Sequence, residues 1–355
     1  MPCYRPLTGV CSGRDLVTGK KIVKVIAHMP PAELQVANMV HAGIEYFPIP
    51  CGNCIGCRIE YSKQWANRCM LEVQYHERCC FITLTYNREH VPLVGYSIGG
   101  KLASVPALTL SKRDLQLFFK RLRKFFPGVC IRYFGCGEYG PQTLRPHYHV
   151  ILFGIDFDDK IEYGCSKTGN KMFVSPSLDR LWSYPPRNVL GESYIANMTQ
   201  KEKEKASTLI GLATIQPVTW ETCAYTARYV TKKLKGPLAE FYKERNMVPP
   251  FSCMSRRPGI GRQYYDDHPE LWEHEYINVS TPDGGKQFRP PKYFMKLLEQ
   301  DDPYSAEAMK EVRKAFALQQ SMTLEELSGV EHEEYLHRLE EIKSASINTL
   351  KRSAI

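Results

Sequence analysis

Several things are missing from this 355-residue chain, and each absence excludes a class of protein. No apolar run is long enough to span a bilayer, which argues against a membrane protein. The first residues, MPCYRPLTGVCSGRDL, lack the charged-then-apolar pattern of a secretion signal, so the expected location is a cytosol. No internal repeat and no low-complexity tract interrupts the chain. No G-x-x-x-x-G-K-[ST] occurs, so there is no evident P-loop nucleotide motor. The 13 cysteines are odd in number and lack a secretory context, which favours thiols or metal ligands over a disulfide framework.

What is present begins with charge. The formal net charge is +9, and residues 301–355 hold 11 acidic and 7 basic side chains, leaving +13 on the first 300 residues. A body of that sign suits a polyanion, because Lys and Arg neutralising phosphates supply most nonspecific nucleic-acid affinity. A hydrophobic content of 43% is enough for a substantial core.

The expected fold class is α+β: a mostly antiparallel central sheet with flanking helices, and a peripheral helical segment at the carboxyl end. Residues 1–57 read as a Cys-containing extension and 58–265 as the main domain, with a loop-rich insert at about 155–218. Residues 266–355 form a carboxyl-terminal region, acidic and helical from about 304. Spacing predicts a helix from Arg58 to about His76 and strands over 80–86, 129–138 and 146–153. A helix capped by Ser111 should run to Pro127-Gly128. Its polar face, Lys112, Arg113, Lys120, Arg121, Arg123 and Lys124, is either a solvated face or part of a DNA footprint.

The most informative stretch is Arg145-Pro146-His147-Tyr148-His149-Val150-Ile151-Leu152-Phe153. Strand side chains alternate, so His147 and His149 share a face with Ile151 and Phe153. Two imidazoles at that spacing can hold one divalent cation, or can simply be hydrogen-bonded and inert. If 129–138 and 146–153 pair as a hairpin, Glu138 returns beside the histidines; otherwise it is a solvated turn carboxylate. Two imidazoles and a carboxylate form an N/O site suited to Mn²⁺ or Mg²⁺ rather than a thiolate zinc site.

A second constellation lies on the helix expected from Thr219 to Leu234, stopped by Gly236-Pro237. Cys223, Ala227, Val230 and Leu234 form its apolar face. Tyr225 and Tyr229 fall nearly opposite, one turn apart, with Lys232 on their stripe and Arg228 and Lys233 beside them. A tyrosine hydroxyl needs nearby positive charge to become a useful nucleophile. The alternative is a pair of amphipathic tyrosines covering a surface. Finally, Cys51, Cys54 and Cys57 repeat at intervals of three, as in turns that present thiolates to Zn²⁺. Cys69, Cys3, Cys11 and His76 are the candidates for a fourth ligand, with Cys69 placed first; free thiols in a tight turn are the other reading.

In this order, the strand Phe81-Ile82-Thr83-Leu84-Thr85-Tyr86, the His-x-His strand and Tyr225-x-x-x-Tyr229 resemble the HUH replication initiators. Pro50-Cys51-Gly52-Asn53-Cys54, Gly137-Glu138-Tyr139-Gly140-Pro141, Arg145–His149 and Ser255-Arg256-Arg257-Pro258-Gly259-Ile260-Gly261 resemble more narrowly the replication initiation protein of gokushovirus-type microviruses, small single-stranded DNA phages. The resemblance covers roughly residues 50–265. It implies a metal-dependent endonuclease in which His147, His149 and Glu138 bind Mg²⁺ or Mn²⁺. Tyr225 or Tyr229 would attack the scissile phosphate of the origin strand, aided by Lys232, leaving a 5′-phosphotyrosine and a free 3′-hydroxyl that can be rejoined. Arg145, Arg228 and Lys233 are the expected DNA contacts. The partners implied are single-stranded DNA at the viral origin and, without a P-loop motor in the chain, a host helicase and DNA polymerase, in the cytoplasm of a bacterial host. A HUH transposase or relaxase, and a non-catalytic zinc-knuckle nucleic-acid-binding protein, are the competing readings.

Overall fold

The computed structural model describes residues 3–16, 21–27, 32–98, 100–166, 169–185, 199, 207–232, 237–281 and 284–349. The chain divides into two compact units, residues 1–60 with 302–352, and residues 61–301. The two ends of the sequence therefore share a unit, where the sequence suggested a separate extension at each end. The boundary between the units falls at Glu60, within the helix Ile55–Val73.

The larger unit is built on a seven-stranded sheet. Its spatial order is Ile161–Cys165, Lys171–Val174, Ala213–Gln216, Cys79–Thr85, Pro146–Phe153, Arg132–Tyr139 and Phe251–Met254, and all neighbours pair antiparallel. Helices flank the sheet, as the composition and pattern implied. The strand over 146–153 has the expected limits, and the helix Lys112–Phe125 is capped by Ser111, whose hydroxyl accepts from the Asp114 amide at 3.1 Å.

Alternation along Pro146–Phe153 divides the core in two. Tyr148, Val150 and Leu152 face the helix Lys112–Phe125 and the fully buried Trp182. Tyr148 pins that helix: its hydroxyl accepts from the Ser111 amide and donates to the Ser111 carbonyl, each at 2.8 Å, and lies 2.8 Å from the Tyr86 hydroxyl, which donates to Asp114. Ile151 and Phe153, on the other face, pack with Phe81 and Phe134 beneath Ala66, Cys69 and Met70 of one helix and Cys223, Ala224 and Ala227 of another, Trp220–Lys232.

Two features bear on the sequence expectations. Residues 155–218 are more than a loop-rich insert, because they contribute three strands of the sheet. Those strands have four or five residues, and Ile161–Cys165 is largely exposed with an irregular register at Gly164, so no apolar alternation marked it. The basic helix Lys112–Phe125 lies on the sheet face away from His147 and His149. Part of its charge is spent in packing: Arg121 donates to the Leu181 carbonyl at 2.7 Å, and Arg123 lies over the Phe119 and Tyr133 rings.

In the smaller unit a three-stranded antiparallel sheet has Leu7–Arg14 between Lys21–Ile26 and Glu45–Ile49. The acidic carboxyl-terminal segment forms two helices, Pro303–Ser328 and His332–Thr349. Some of its charge meets basic residues of the same unit, with Arg5 at 2.7 Å from Glu340, Arg14 at 3.1 Å from Glu307, and Lys314 and Lys21 both on Glu45. These exposed pairs orient the helices more than they stabilise them. Among the described residues no helix is long and apolar enough to cross a membrane.

Candidate functional site

The hairpin that joins Arg132–Tyr139 to Pro146–Phe153 closes through a Gly140 amide bond to the Arg145 carbonyl at 2.9 Å. Its register sets Glu138 directly across from His147, and Cys136 across from His149. Because side chains alternate, Glu138, His147 and His149 emerge on one face, and a ligand atom of each lies within 4.8 Å of the others. All three are largely withdrawn from solvent, with side-chain exposures of 1% for Glu138, 15% for His147 and 3% for His149.

The orientation of each ring is set by its other nitrogen. His147 Nδ1 lies 3.1 Å from the Arg145 carbonyl oxygen, an acceptor that suits a hydrogen on Nδ1 when Nε2 holds a cation. His147 Nε2 then points at Glu138 Oε1, 2.9 Å away. His149 Nδ1 lies 3.0 Å from the Thr83 hydroxyl, and the ring stacks on Phe81 with centroids 5.5 Å apart. His149 Nε2 is 3.0 Å from the same Glu138 oxygen but out of hydrogen-bonding alignment, so it ranks among the buried polar atoms without a hydrogen-bond partner. Glu138 Oε2 is another such atom. Leaving buried polar atoms unsatisfied costs about 1 to 3 kcal/mol each. Two imidazole lone pairs and a carboxylate converging on one point form a donor set that a divalent cation would satisfy.

Electrostatics point the same way. Burial pushes the Glu138 carboxyl up, but the two facing imidazoles outweigh it and hold the group below the ordinary carboxylate range. Burial lowers the His149 imidazole, and this outweighs the raising effect of Glu138. An ionised carboxylate beside a neutral imidazole is the protonation state that a metal ligand set requires.

The helix Trp220–Lys232 crosses this face. Its position is fixed by the Trp220 indole, which donates to Asn67 at 2.9 Å, and by Ser62, which donates to the Ala224 carbonyl at 2.5 Å. Tyr225 projects from it over the triad: its ring meets His149 edge-on at 5.0 Å and 87°, and its hydroxyl is 3.5 Å from Glu138 Oε1. Helical periodicity placed Tyr225 opposite the core face. In fact it is half-buried, because the helix lies flat on a sheet and the flank beside its apolar stripe is covered as well. Tyr229 and Lys232 belong to the same helix, but their side chains lie outside the described residues, as does the whole of Lys233.

Of the basic residues singled out, Arg228 is exposed on this helix. Arg145 donates to the Tyr86 carbonyl at 2.5 Å, and its own carbonyl orients His147. Thr83 is the residue whose part in the site the sequence understated. Its position across from His149 in the strand pairing is what brings it there.

The cysteines also assemble, though not as first expected. Cys51, Cys54 and Cys57 are joined by Cys3. Cys69 is fully buried in the core with Cys223 as its thiol neighbour. Cys11 bonds to the Gly13 carbonyl, and His76 faces Glu72.

The family described as replication-associated protein ORF2/G2P matches residues 79–234, a stretch that holds the triad, Thr83 and the tyrosine helix. Beyond that segment, the chain is similar to replication-associated protein ORF2 of Spiroplasma virus 4, 29% identical over 343 residues, 95% of this chain and 93% of its relative. It is similar also to replication-associated protein VP4 of Bdellovibrio phage phiMH2K, 25% identical over 313 residues, covering 85% and 79% of the two chains. Replication-associated protein ORF4 of Chlamydia phage 1 is 27% identical over 191 residues, 53% of this chain and 39% of the phage protein. The resemblance to phage replication proteins drawn from the motifs therefore holds. No solved structure matches significantly.

Proposed function

We propose that this protein initiates rolling-circle replication by nicking the origin strand of a single-stranded DNA genome through a tyrosine. The observation that carries the reading is the Tyr225 hydroxyl poised 3.5 Å from Glu138, beside two histidines with converging ring nitrogens. The relatives, all replication-associated proteins of phages, favour replication over transposition or conjugative transfer. The triad beneath a tyrosine favours an enzyme over a purely binding zinc knuckle.

The proposed reaction is a transesterification. The Tyr225 oxygen bonds to phosphorus and its proton leaves, the bond from phosphorus to the 3′-oxygen breaks, and that oxygen takes up a proton. A 5′-phosphotyrosine and a free 3′-hydroxyl result, and the reverse reaction rejoins the ends at termination. His147, His149 and Glu138 would hold Mg²⁺ or Mn²⁺, a Lewis acid for charge gathering on the phosphate oxygens. Thr83 and the Arg145 carbonyl orient the two imidazoles. Tyr229, one helical turn from Tyr225, is assigned the second transfer of a circular reaction, with Lys232 lowering a hydroxyl pKa or gripping phosphate. Arg228 and Lys233 are assigned to the DNA backbone. A host helicase and polymerase would complete the replication machinery in the infected cell.

The test is incubation of the full chain with Mn²⁺ and a single-stranded oligonucleotide carrying the phage origin. A covalent protein–DNA adduct on a denaturing gel, absent with EDTA, is expected. Failure to form one with any segment of the cognate genome would refute the enzyme reading. A finer expectation concerns Thr83→Val, which keeps the strand but removes the hydroxyl facing His149. Such a change should weaken Mn²⁺ binding about 10- to 100-fold, as read by electron paramagnetic resonance titration. Unaltered binding would remove Thr83 from the site.

A further inference from the structure

The second cluster of metal-ligating groups lies in the smaller unit and takes no part in the chemistry above. Cys3 precedes the strand Leu7–Arg14, Cys51 and Cys54 follow the strand Glu45–Ile49, and Cys57 sits at the start of the helix Ile55–Val73. The two strands pair antiparallel with Leu7 opposite Ile49, so continuing that register past the strand ends carries Cys3 into the Cys51–Cys54 turn. The four sulfurs lie within 4.8 Å of one another.

Two features separate this arrangement from a chance group of thiols. The first is spacing. The Cys3 and Cys54 sulfurs are 3.8 Å apart, far longer than the roughly 2.05 Å of a disulfide. Four sulfurs placed tetrahedrally at about 2.3 Å from one ion have edges of about 3.8 Å. Sulfurs all within 4.8 Å of one another also suit a single ion better than a polynuclear cluster, whose larger core would spread its ligands. The second is polarity. Backbone amides are directed at three of the sulfurs: Cys51 donates to Cys3 at 3.2 Å, Asn53 and Cys54 to Cys51 at 3.4 and 3.3 Å, and Tyr4 and Cys57 to Cys54 at 3.4 Å each. A neutral thiol is a weak acceptor, whereas a thiolate is a strong one, so five convergent N–H groups are what metal-bound thiolates require.

We propose that Cys3, Cys51, Cys54 and Cys57 bind one Zn²⁺ as a closed tetrathiolate site that holds the smaller unit together. The site adjoins a small buried cluster of that unit. Tyr4 and Cys54 pack with Leu336 and Leu339 of the helix His332–Thr349, and Arg5 reaches Glu340 of the same helix. A core this small rarely supplies enough stability unaided, and a structural metal is a common remedy. The ion thus links the amino-terminal segment and the Cys51–Cys57 knuckle, and through Tyr4 the packing extends to the last helix.

The full chain, purified under reducing conditions, should retain about one zinc after dialysis, with a sulfur shell of four at about 2.3 Å by X-ray absorption. Cys54→Ser and Cys3→Ser should lose that zinc or bind it at least about tenfold more weakly, while Cys69→Ala keeps it. Chelation should expose the four thiols to alkylation together and make residues near Leu336 susceptible to protease. Should Cys54→Ser fail to fold, the absorption spectrum of the unaltered protein still decides. A folded chain without zinc, a shell with fewer than four sulfurs, or equal zinc loss in Cys69→Ala would overturn the assignment.

Discussion

Replacing Tyr225 with phenylalanine should lower origin-strand cleavage by at least about a thousandfold, because it removes the attacking oxygen and leaves everything around it in place. The ring supplies the packing: it meets His149 edge-on and borders the cluster formed by Ala66, Phe81 and Ala224. Only the hydroxyl facing Glu138 is lost, so the melting temperature and Mn²⁺ affinity should change little. Any residual adduct should map to Tyr229 by mass spectrometry, and the Tyr225→Phe, Tyr229→Phe double variant should bind DNA yet form none. Undiminished cleavage by Tyr225→Phe would move the nucleophile elsewhere.

The same geometry gives the activity an acid limb. His149 and Glu138 both titrate below their ordinary ranges in the fold. For either group the folded pKa lies below the unfolded one, so its contribution to stability is present above the unfolded pKa. That contribution is lost as pH falls through the folded value. Protonating the pair also removes two cation ligands. Mn²⁺ affinity should therefore decline with acid before the fold does, a separation that metal titration and circular dichroism on one sample would resolve.

Much of this site could be read in the sequence because it is local. The His-x-His strand and Glu138 are joined by one short hairpin, so alternation and a single assumption about pairing were enough to bring them together. The Ser111 cap was legible for a similar reason, since its partner is three residues away. What the sequence left open depends on distant pairings. Thr83 meets His149 across 66 residues, and Cys3 reaches Cys54 across 51. Periodicity placed Cys223 and Ala227 on the buried side of Trp220–Lys232, where they lie, but a helical wheel assumes one buried stripe. Lying on a sheet, the helix tucks Tyr225 against His149, a consequence of where the sheet is rather than of the helix's own pattern.

The largest stability effect is expected away from the triad, at Glu72. Its carboxylate is buried in the larger unit and gathers three partners: the Arg132 guanidinium, His76 Nε2 at 3.2 Å and the Gly261 amide at 2.7 Å. Arg132 donates onward to the Pro258 and Gly259 carbonyls, while Arg68 holds the Ile260 carbonyl at 2.9 Å. This network fixes the Ser255–Gly261 segment, which ends with Gly261 in the left-handed region at φ 74°. A glycine there lets the chain turn so that its amide points at the carboxylate. Burial alone would raise the Glu72 carboxyl, but His76, Arg132 and the Gly261 amide together hold it below the ordinary range. Glu72→Ala leaves the largely buried Arg132 guanidinium without its counter-ion and the Gly261 amide without its acceptor, and should cost about 3 to 5 kcal/mol. Glu72→Gln keeps a hydrogen-bonding shape and should cost less. Because the folded pKa is depressed, Glu72 contributes fully above the unfolded pKa and loses its contribution as pH falls through the folded one. Urea denaturation across that range should therefore show a shallower acid limb in Glu72→Gln than in the parent. Parallel limbs, or a loss below about 1 kcal/mol in Glu72→Ala, would mean that the Ser255–Gly261 segment is held by something other than this carboxylate.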